Sequence, residues 1–245
     1  MPRSFNTTAS VPQLSSLKVS MASHKKIELY FDCVSPYSFY AFLYLTQRKQ
    51  ALQNLNVELE LIPVFLGGIN VGSGNKPPWT LPAKAAYSSY DTKRAQKYFG
   101  LKFTVPEFFP ILSLLPQRCL TVVKTSHPEK FEALCRECFE ALWLNHKDLS
   151  KPENMMTVLQ AVFDTDEAKK VAQGAQSLEV KQKLNDVTSH AVEKLGAFGC
   201  PWFWVQNGKG KAEPFFGSDR FHYMWDYLEL PHQDLELSAP ARGKL

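Results

Sequence analysis

At 245 residues, with 44% hydrophobic and 21% charged residues, the chain has the make-up of an ordinary globular protein able to bury a sizeable core. A net charge of +4 is small for that length and, without a clustered basic face, argues against a nucleic-acid partner. No apolar run approaches the ~20 residues needed to span a bilayer.

Residues 1–24 are rich in Ser and Thr, carry Arg3 and Lys18, and lack any acidic residue. That composition is compatible with a mitochondrial presequence, but Pro2 and Pro12 interrupt an amphipathic helix, so the stretch reads first as a disordered extension, or as sequence upstream of a start at Met21. No apolar secretory segment is expected in residues 1–26. The odd set Cys33, Cys119, Cys135, Cys138 and Cys200 therefore reads as free thiols of an intracellular chain.

The β-prone run Ile27 to Phe31 leads through Asp32-Cys33-Val34-Ser35-Pro36-Tyr37-Ser38 into the apolar run Phe39 to Leu45, a strand feeding a helix. Ser35 is a strong N-cap type, and Pro36 at the first helical position loses no useful donor. A second strand alternates over Val57 to Pro63. The Gly- and Pro-rich stretch from Gly67 to Pro78 is expected to be a loop without regular structure.

Residues 79–196 read mainly as helix: Ala83 to Phe99 stopped by Gly100, Glu129 to Asn145 opened by Pro128, then Glu153–Phe163, Asp166–Gln173 and Leu178–Leu195 stopped by Gly196. After Gly199-Cys200-Pro201 come a buried strand at Trp202 to Val205, a turn at Asn207 to Gly210 and a strand at Ala212 to Phe216. A final helix covers Arg220 to Leu228. The order βαβ, helical insertion, ββα is that of a thioredoxin-like α/β fold with a large all-helical domain inserted, the DsbA-like architecture. It divides the chain into a thioredoxin-like domain at 25–78 and 197–230, an inserted helical domain at 79–196, and a tail at 231–245.

In such folds the strand-to-helix junction carries a redox dithiol, and here Ser35 and Ser38 stand in its place. Serine forms no disulfide, but at a helix N-terminus its hydroxyl can hold another molecule's thiolate. Cys135-x-x-Cys138 falls inside a predicted helix without a second ligand pair. His127, His146, His190 and His222 show no metal spacing, so no metal is expected.

Four motifs in order, Asp32-Cys33-Val34-Ser35-Pro36-Tyr37-Ser38, Ser73-Gly74-Asn75-Lys76-Pro77-Pro78, Gly196-Ala197-Phe198-Gly199-Cys200-Pro201 and Phe216-Gly217-Ser218-Asp219-Arg220, resemble those of the kappa-class glutathione transferases and their relatives, the 2-hydroxychromene-2-carboxylate isomerases. The resemblance covers about residues 25–230. It implies that Ser35 is the catalytic residue, acting on bound glutathione as co-substrate. A thiol of pKa about 8.5 becomes mostly thiolate at pH 7 if lowered two units, which takes ~2.7 kcal/mol.

The resemblance also implies a cis Cys200–Pro201 bond whose Cys200 backbone pairs with the cysteinyl unit, beside Pro36 and Tyr37 at the helix start. Ser218 and Asp219 would take the γ-glutamyl end, Asn75 would contact glutathione, and Lys84 and Arg220 would meet its carboxylates. Cys200 departs from the aliphatic residue common before this proline. It reads as a small buried hydrophobe, with a mixed disulfide to the bound sulfur as the alternative. The resemblance further implies a homodimer acting on a small hydrophobic electrophile or peroxide, its pocket supplied by the helical domain. The rival activities are a glutathione-dependent cis–trans isomerase, a DsbA-like thiol protein and a glutathione-binding scaffold without turnover. Relatives occur in mitochondria and peroxisomes, and the terminal Gly-Lys-Leu is one residue from a peroxisomal signal; a cytoplasmic location stays open.

Overall fold

A computed structural model describes residues 24–233; the expectations for the first 23 residues and for the Gly-Lys-Leu terminus lie outside the described residues. Four strands, β1 (Lys25–Phe31), β2 (Val57–Pro63), β3 (Trp202–Gln206) and β4 (Ala212–Phe216), form one sheet in the order β2-β1-β3-β4. β1 runs parallel to β2, with Ile27 opposite Leu59 and Leu29 opposite Leu61, and antiparallel to β3, with Leu29 opposite Phe203. The parallel pair requires a crossover, which α1 (Pro36–Thr46) and α2 (Lys49–Asn54) provide.

Alternation along β1 sends Ile27, Leu29 and Phe31 into one core and Tyr30 into another on the opposite face. Between β2 and β3 the chain makes α3 (Leu66–Ser73), a short 3-10 turn at Pro78–Thr80, α4 (Pro82–Phe99), α5 (Leu114–Ser126), α6 (Pro128–Trp143), α7 (Pro152–Gln160), α8 (Thr165–Gly174) and α9 (Leu178–Glu193). α10 (Phe221–Tyr227) ends the fold. No helix among the described residues is long and apolar enough to cross a membrane.

The inserted helices share the larger core with the sheet. Phe139 of α6 stacks on Phe39 of α1 at 5.0 Å between ring centres and also meets Phe31 and Phe42 at 5.7 and 5.4 Å. A buried aromatic ring of this kind is worth roughly 1.5–3 kcal/mol, and here it locks α6 onto α1.

The smaller core lies under α3 and α9 and holds Tyr30, Val64, Ile69, Ala191 and Trp202. Its existence corrects the expectation of an irregular loop from Gly67. The first half of that stretch is α3, which runs to Ser73 before Gly74 turns the chain. The glycines serve close packing instead of a turn. A Cβ at Gly68 would lie 3.0 Å from the Thr188 methyl of α9, and one at Gly72 would lie 3.3 Å from Val192.

Candidate active site

The junction between β1 and α1 is fixed from below by buried polar groups drawn from distant parts of the chain. Asp32, fully buried, accepts hydrogen bonds from the Val34 amide (3.0 Å), the Leu66 amide at the start of α3 (2.8 Å) and the Ser113 hydroxyl at the start of α5 (2.7 Å). Gln117 of α5 donates to the carbonyls of Phe31 (2.9 Å) and Val64 (2.7 Å) and accepts from the Cys33 amide (3.3 Å). The Trp143 indole donates to the Cys33 carbonyl at 2.9 Å. The Val64 carbonyl and both backbone groups of Cys33 are thereby satisfied from α5 and α6, and the Phe31 carbonyl accepts from Gln117 besides the Val64 amide, as burial demands.

Burial pushes Asp32 up to about 6, against the pull of the Leu66, Val34 and Ser113 donors. Those donors are neutral, and burial without a countercharge outweighs them.

Above this base stands Ser35, the N-cap of α1, 4% exposed. Its oxygen accepts from the Ser38 amide at 3.2 Å and its hydroxyl donates to the Cys200 carbonyl at 3.0 Å. Pro36 occupies the first helical position, so a Ser-Pro start forms the helix as the sequence demands. One turn on, the buried Ser38 hydroxyl has no hydrogen-bond partner among the described residues. The Tyr37 hydroxyl donates to Asp91 of α4 at 2.6 Å, and burial together with that bond pushes the phenol pKa up.

The Cys200–Pro201 peptide is cis, and the Pro201 carbonyl accepts from the Gly217 amide at 3.2 Å. This second bond draws the 217–220 turn against the proline. Gly217 adopts φ +88°, a backbone that a side chain would strain, and even a Cβ there would lie 2.8 Å from the Asp219 carboxylate. Ser218 is buried, whereas Asp219 and Arg220 are exposed and paired with each other at 2.5 Å. Asn75 donates to the Phe198 carbonyl at 2.6 Å, two residues before Cys200. Ser35, Asn75, Cys200, Pro201, Ser218, Asp219 and Arg220 thus belong to one connected set of loops. Lys84 lies exposed in the first turn of α4, with no ion pair among the described residues and no contact tying it to that set.

Cys200 is buried, and burial, followed by the nearby Asp32 charge, pushes its thiol pKa well up. It packs in the smaller core with Tyr30, Ala197 and Trp202. Cys33, Cys135 and Cys138 are neighbours in the core, all fully buried and all raised, first by burial. From Cys33 an aromatic run leads outward: Trp143 packs on Phe109 at 5.3 Å, and Phe109 on the half-exposed Trp79 at 5.4 Å.

A hydroxyl at a helix N-cap facing a cis-proline, where a dithiol would otherwise sit, points to a known group. The model for the DSBA-like thioredoxin domain matches residues 26–229. Glutathione S-transferase kappa 1 of Caenorhabditis elegans is 31% identical over 211 residues, covering 84% of this chain and 92% of that protein. The Homo sapiens protein of the same name is 32% identical over 206 residues, covering 82% and 89%. The chain belongs to the DSBA-like thioredoxin family, among the kappa glutathione transferases. A solved 2-hydroxychromene-2-carboxylate isomerase shares the fold of this kappa-family chain, with a TM-score of 0.66 and 19% identity over 83% of this chain and 94% of the isomerase.

Sequence reasoning about the kappa motifs did not reach Ser113, Gln117 or Trp143, and took Asp32 only as part of a motif. Gln117 and Trp143 are 84 and 110 residues from their partner Cys33, and no local pattern links them. The one available clue was a carboxylate, Asp32, closing an apolar strand.

Proposed function

We propose that this chain is a glutathione transferase of the kappa class in which Ser35 donates a hydrogen bond to the glutathione thiolate. One observation carries the reading: the Ser35 hydroxyl at the N-cap of α1 is spent on the Cys200 carbonyl of the cis peptide. A cysteinyl backbone pairing with Cys200 would bring its own N–H to that carbonyl. The Ser35 hydroxyl would then be released to turn toward the sulfur, while Ser35 Oγ keeps its bond from the Ser38 amide. One hydrogen bond is exchanged for two, and the new one falls on a charge that the helix N-terminus also favours.

In this reading the buried Ser218 and the exposed Asp219 receive the γ-glutamyl group, Asp219 through the ammonium. Arg220, released from Asp219, meets a carboxylate, and Asn75, Pro36 and Tyr37 shape the same surface. Lys84 reaches the other carboxylate across the opening. Trp79 and Phe109, backed by the buried Trp143, supply an apolar wall for a small hydrophobic electrophile. A homodimer and a mitochondrial or peroxisomal location belong to the same reading by resemblance.

The test is a calorimetric titration of glutathione into wild type and Ser35→Ala, with thiolate followed by ultraviolet absorbance across pH. Wild type is expected to bind and to lower the thiol pKa by about two units from its usual ~8.5. Ser35→Ala should return it most of the way. Absence of binding by wild type, or an equal thiol pKa in both proteins, would remove the proposal.

A further inference from the structure

A concavity of about 720 Å³ lies at the β2 edge of the sheet, between α5 and α9, and none of the Ser35 set lines it. That volume falls within the range of small-molecule sites. Its floor is made by Tyr30 and Ile62, which stand opposite each other in the β1–β2 register and so share a face. Leu184 and Val187 of α9 form an apolar wall, and both Ile62 and Val187 pack against the smaller core. The apolar surface therefore continues from the protein interior to the opening.

The polar groups are distributed unevenly. Glu60 faces the cleft but is held by two ammonium groups, Lys26 and Lys124, each at 2.6 Å. Partial burial alone would push Glu60 up; the bonds from Lys124 and Lys26 hold it below the usual carboxylate range. Asp186 accepts from Gln182 at 2.7 Å, and it and the exposed His190 are, with Lys183, the titratable groups by which α9 lines the cleft. Lys183 differs from all of these. Its ammonium reaches across from α9 to the Thr125 hydroxyl of α5 at 2.7 Å, and it has no carboxylate partner among the described residues. An uncommitted cation and a hydroxyl thus sit together at the rim of an apolar trough.

We infer that this cleft binds an organic anion with one acidic head group and an apolar body, the head at Lys183 and Thr125 and the body along Ile62, Leu184 and Val187. Charge complementarity selects the head group. The apolar floor requires a body of one or two rings or a medium-length alkyl chain, and excludes small inorganic anions as good ligands. The site is separate from Ser35 and does not depend on glutathione chemistry.

The test is a fluorescence titration of anilinonaphthalene sulfonate into the full chain, with decanoate and glutathione as competitors. Wild type is expected to bind one equivalent, to lose it to decanoate and to keep it at saturating glutathione. Lys183→Glu, a change at an exposed side chain, should weaken binding by about tenfold or more, the usual cost of a hydrogen bond to a charge. Val187→Trp should fill the trough and abolish binding. No binding by wild type, displacement by glutathione, or equal binding by wild type and Lys183→Glu would each overturn the assignment.

Discussion

Beneath Ser35, Asp32, Ser113, Gln117 and Trp143 make a sealed network whose partners lie between 2 and 110 residues apart. Beside Ser35, Asn75, Asp219 and Arg220 make an exposed set whose bonds are short-range or loop to loop. The first set holds backbone in place and has no spare capacity for a ligand. The second is held loosely by pairs that a ligand can exchange. In the proposed complex, position and recognition thus fall to different residues around one hydroxyl. Mutations should separate the two: large losses of stability below, large losses of affinity with little loss of stability beside.

The strongest break expected is Gln117→Leu. It would leave the buried Val64 carbonyl and Cys33 amide unpaired and take one of two donors from the Phe31 carbonyl, which keeps the Val64 amide at 3.0 Å. At roughly 1–3 kcal/mol for each stranded group, partly relaxed, the cost should be about 4 kcal/mol. Urea unfolding monitored by tryptophan fluorescence should show the midpoint falling accordingly. A loss under about 1 kcal/mol would mean that the network does not hold the junction.

Asp32 sharpens the same comparison through pH. Its folded pKa of about 6 lies above the ordinary 3.8, so the fold binds this proton more tightly than the unfolded chain does. The contribution of this group is therefore fullest below about pH 4 and declines as pH rises through 6. A two-unit shift amounts to about 3 kcal/mol. Asn at this position cannot ionise, so the stability difference, wild type minus Asp32→Asn, should shrink by that amount between pH 4 and pH 7. Denaturation at a series of pH values measures it; a constant difference would show that Asp32 titrates normally.

The two sets also differ in how far they could be read from sequence. Ser35-Pro36 announces a helix start by local chemistry, and Cys200-Pro201 and Gly217 to Arg220 are contiguous motifs in loops. The strands and most helices follow from period and punctuation, as at Val57 to Pro63 and Pro128 to Trp143. What escaped depends on packing between distant segments. α3 was obscured because Gly67, Gly68 and Gly72 look like turn residues, whereas Gly68 and Gly72 are the space into which Thr188 and Val192 fit. α5 was not anticipated as a separate helix: Pro116 sits in its first turn, where the missing amide costs nothing, and polar Gln117 and Thr121 occupy its buried face. Gln117 cannot be recognised as structural until β1, β2 and α5 are brought together.

The smallest effect on stability and the clearest on function are expected at the Asp219–Arg220 pair. Both side chains are largely in solvent, and an exposed ion pair between neighbours contributes at most about 1 kcal/mol. Arg220→Gln should therefore unfold at nearly the same urea concentration as wild type. In the proposed complex the same guanidinium leaves Asp219 for a glutathione carboxylate, and its loss should weaken glutathione by about tenfold, the usual scale for a hydrogen bond to a charge. Asp219→Asn, which keeps the shape but loses the charge that would meet the ammonium, should weaken binding to a similar degree. Calorimetric titration beside the unfolding curve separates the outcomes. If Arg220→Gln loses stability and affinity together, the exposed set is structural after all, and the division of labour around Ser35 fails on its recognition side.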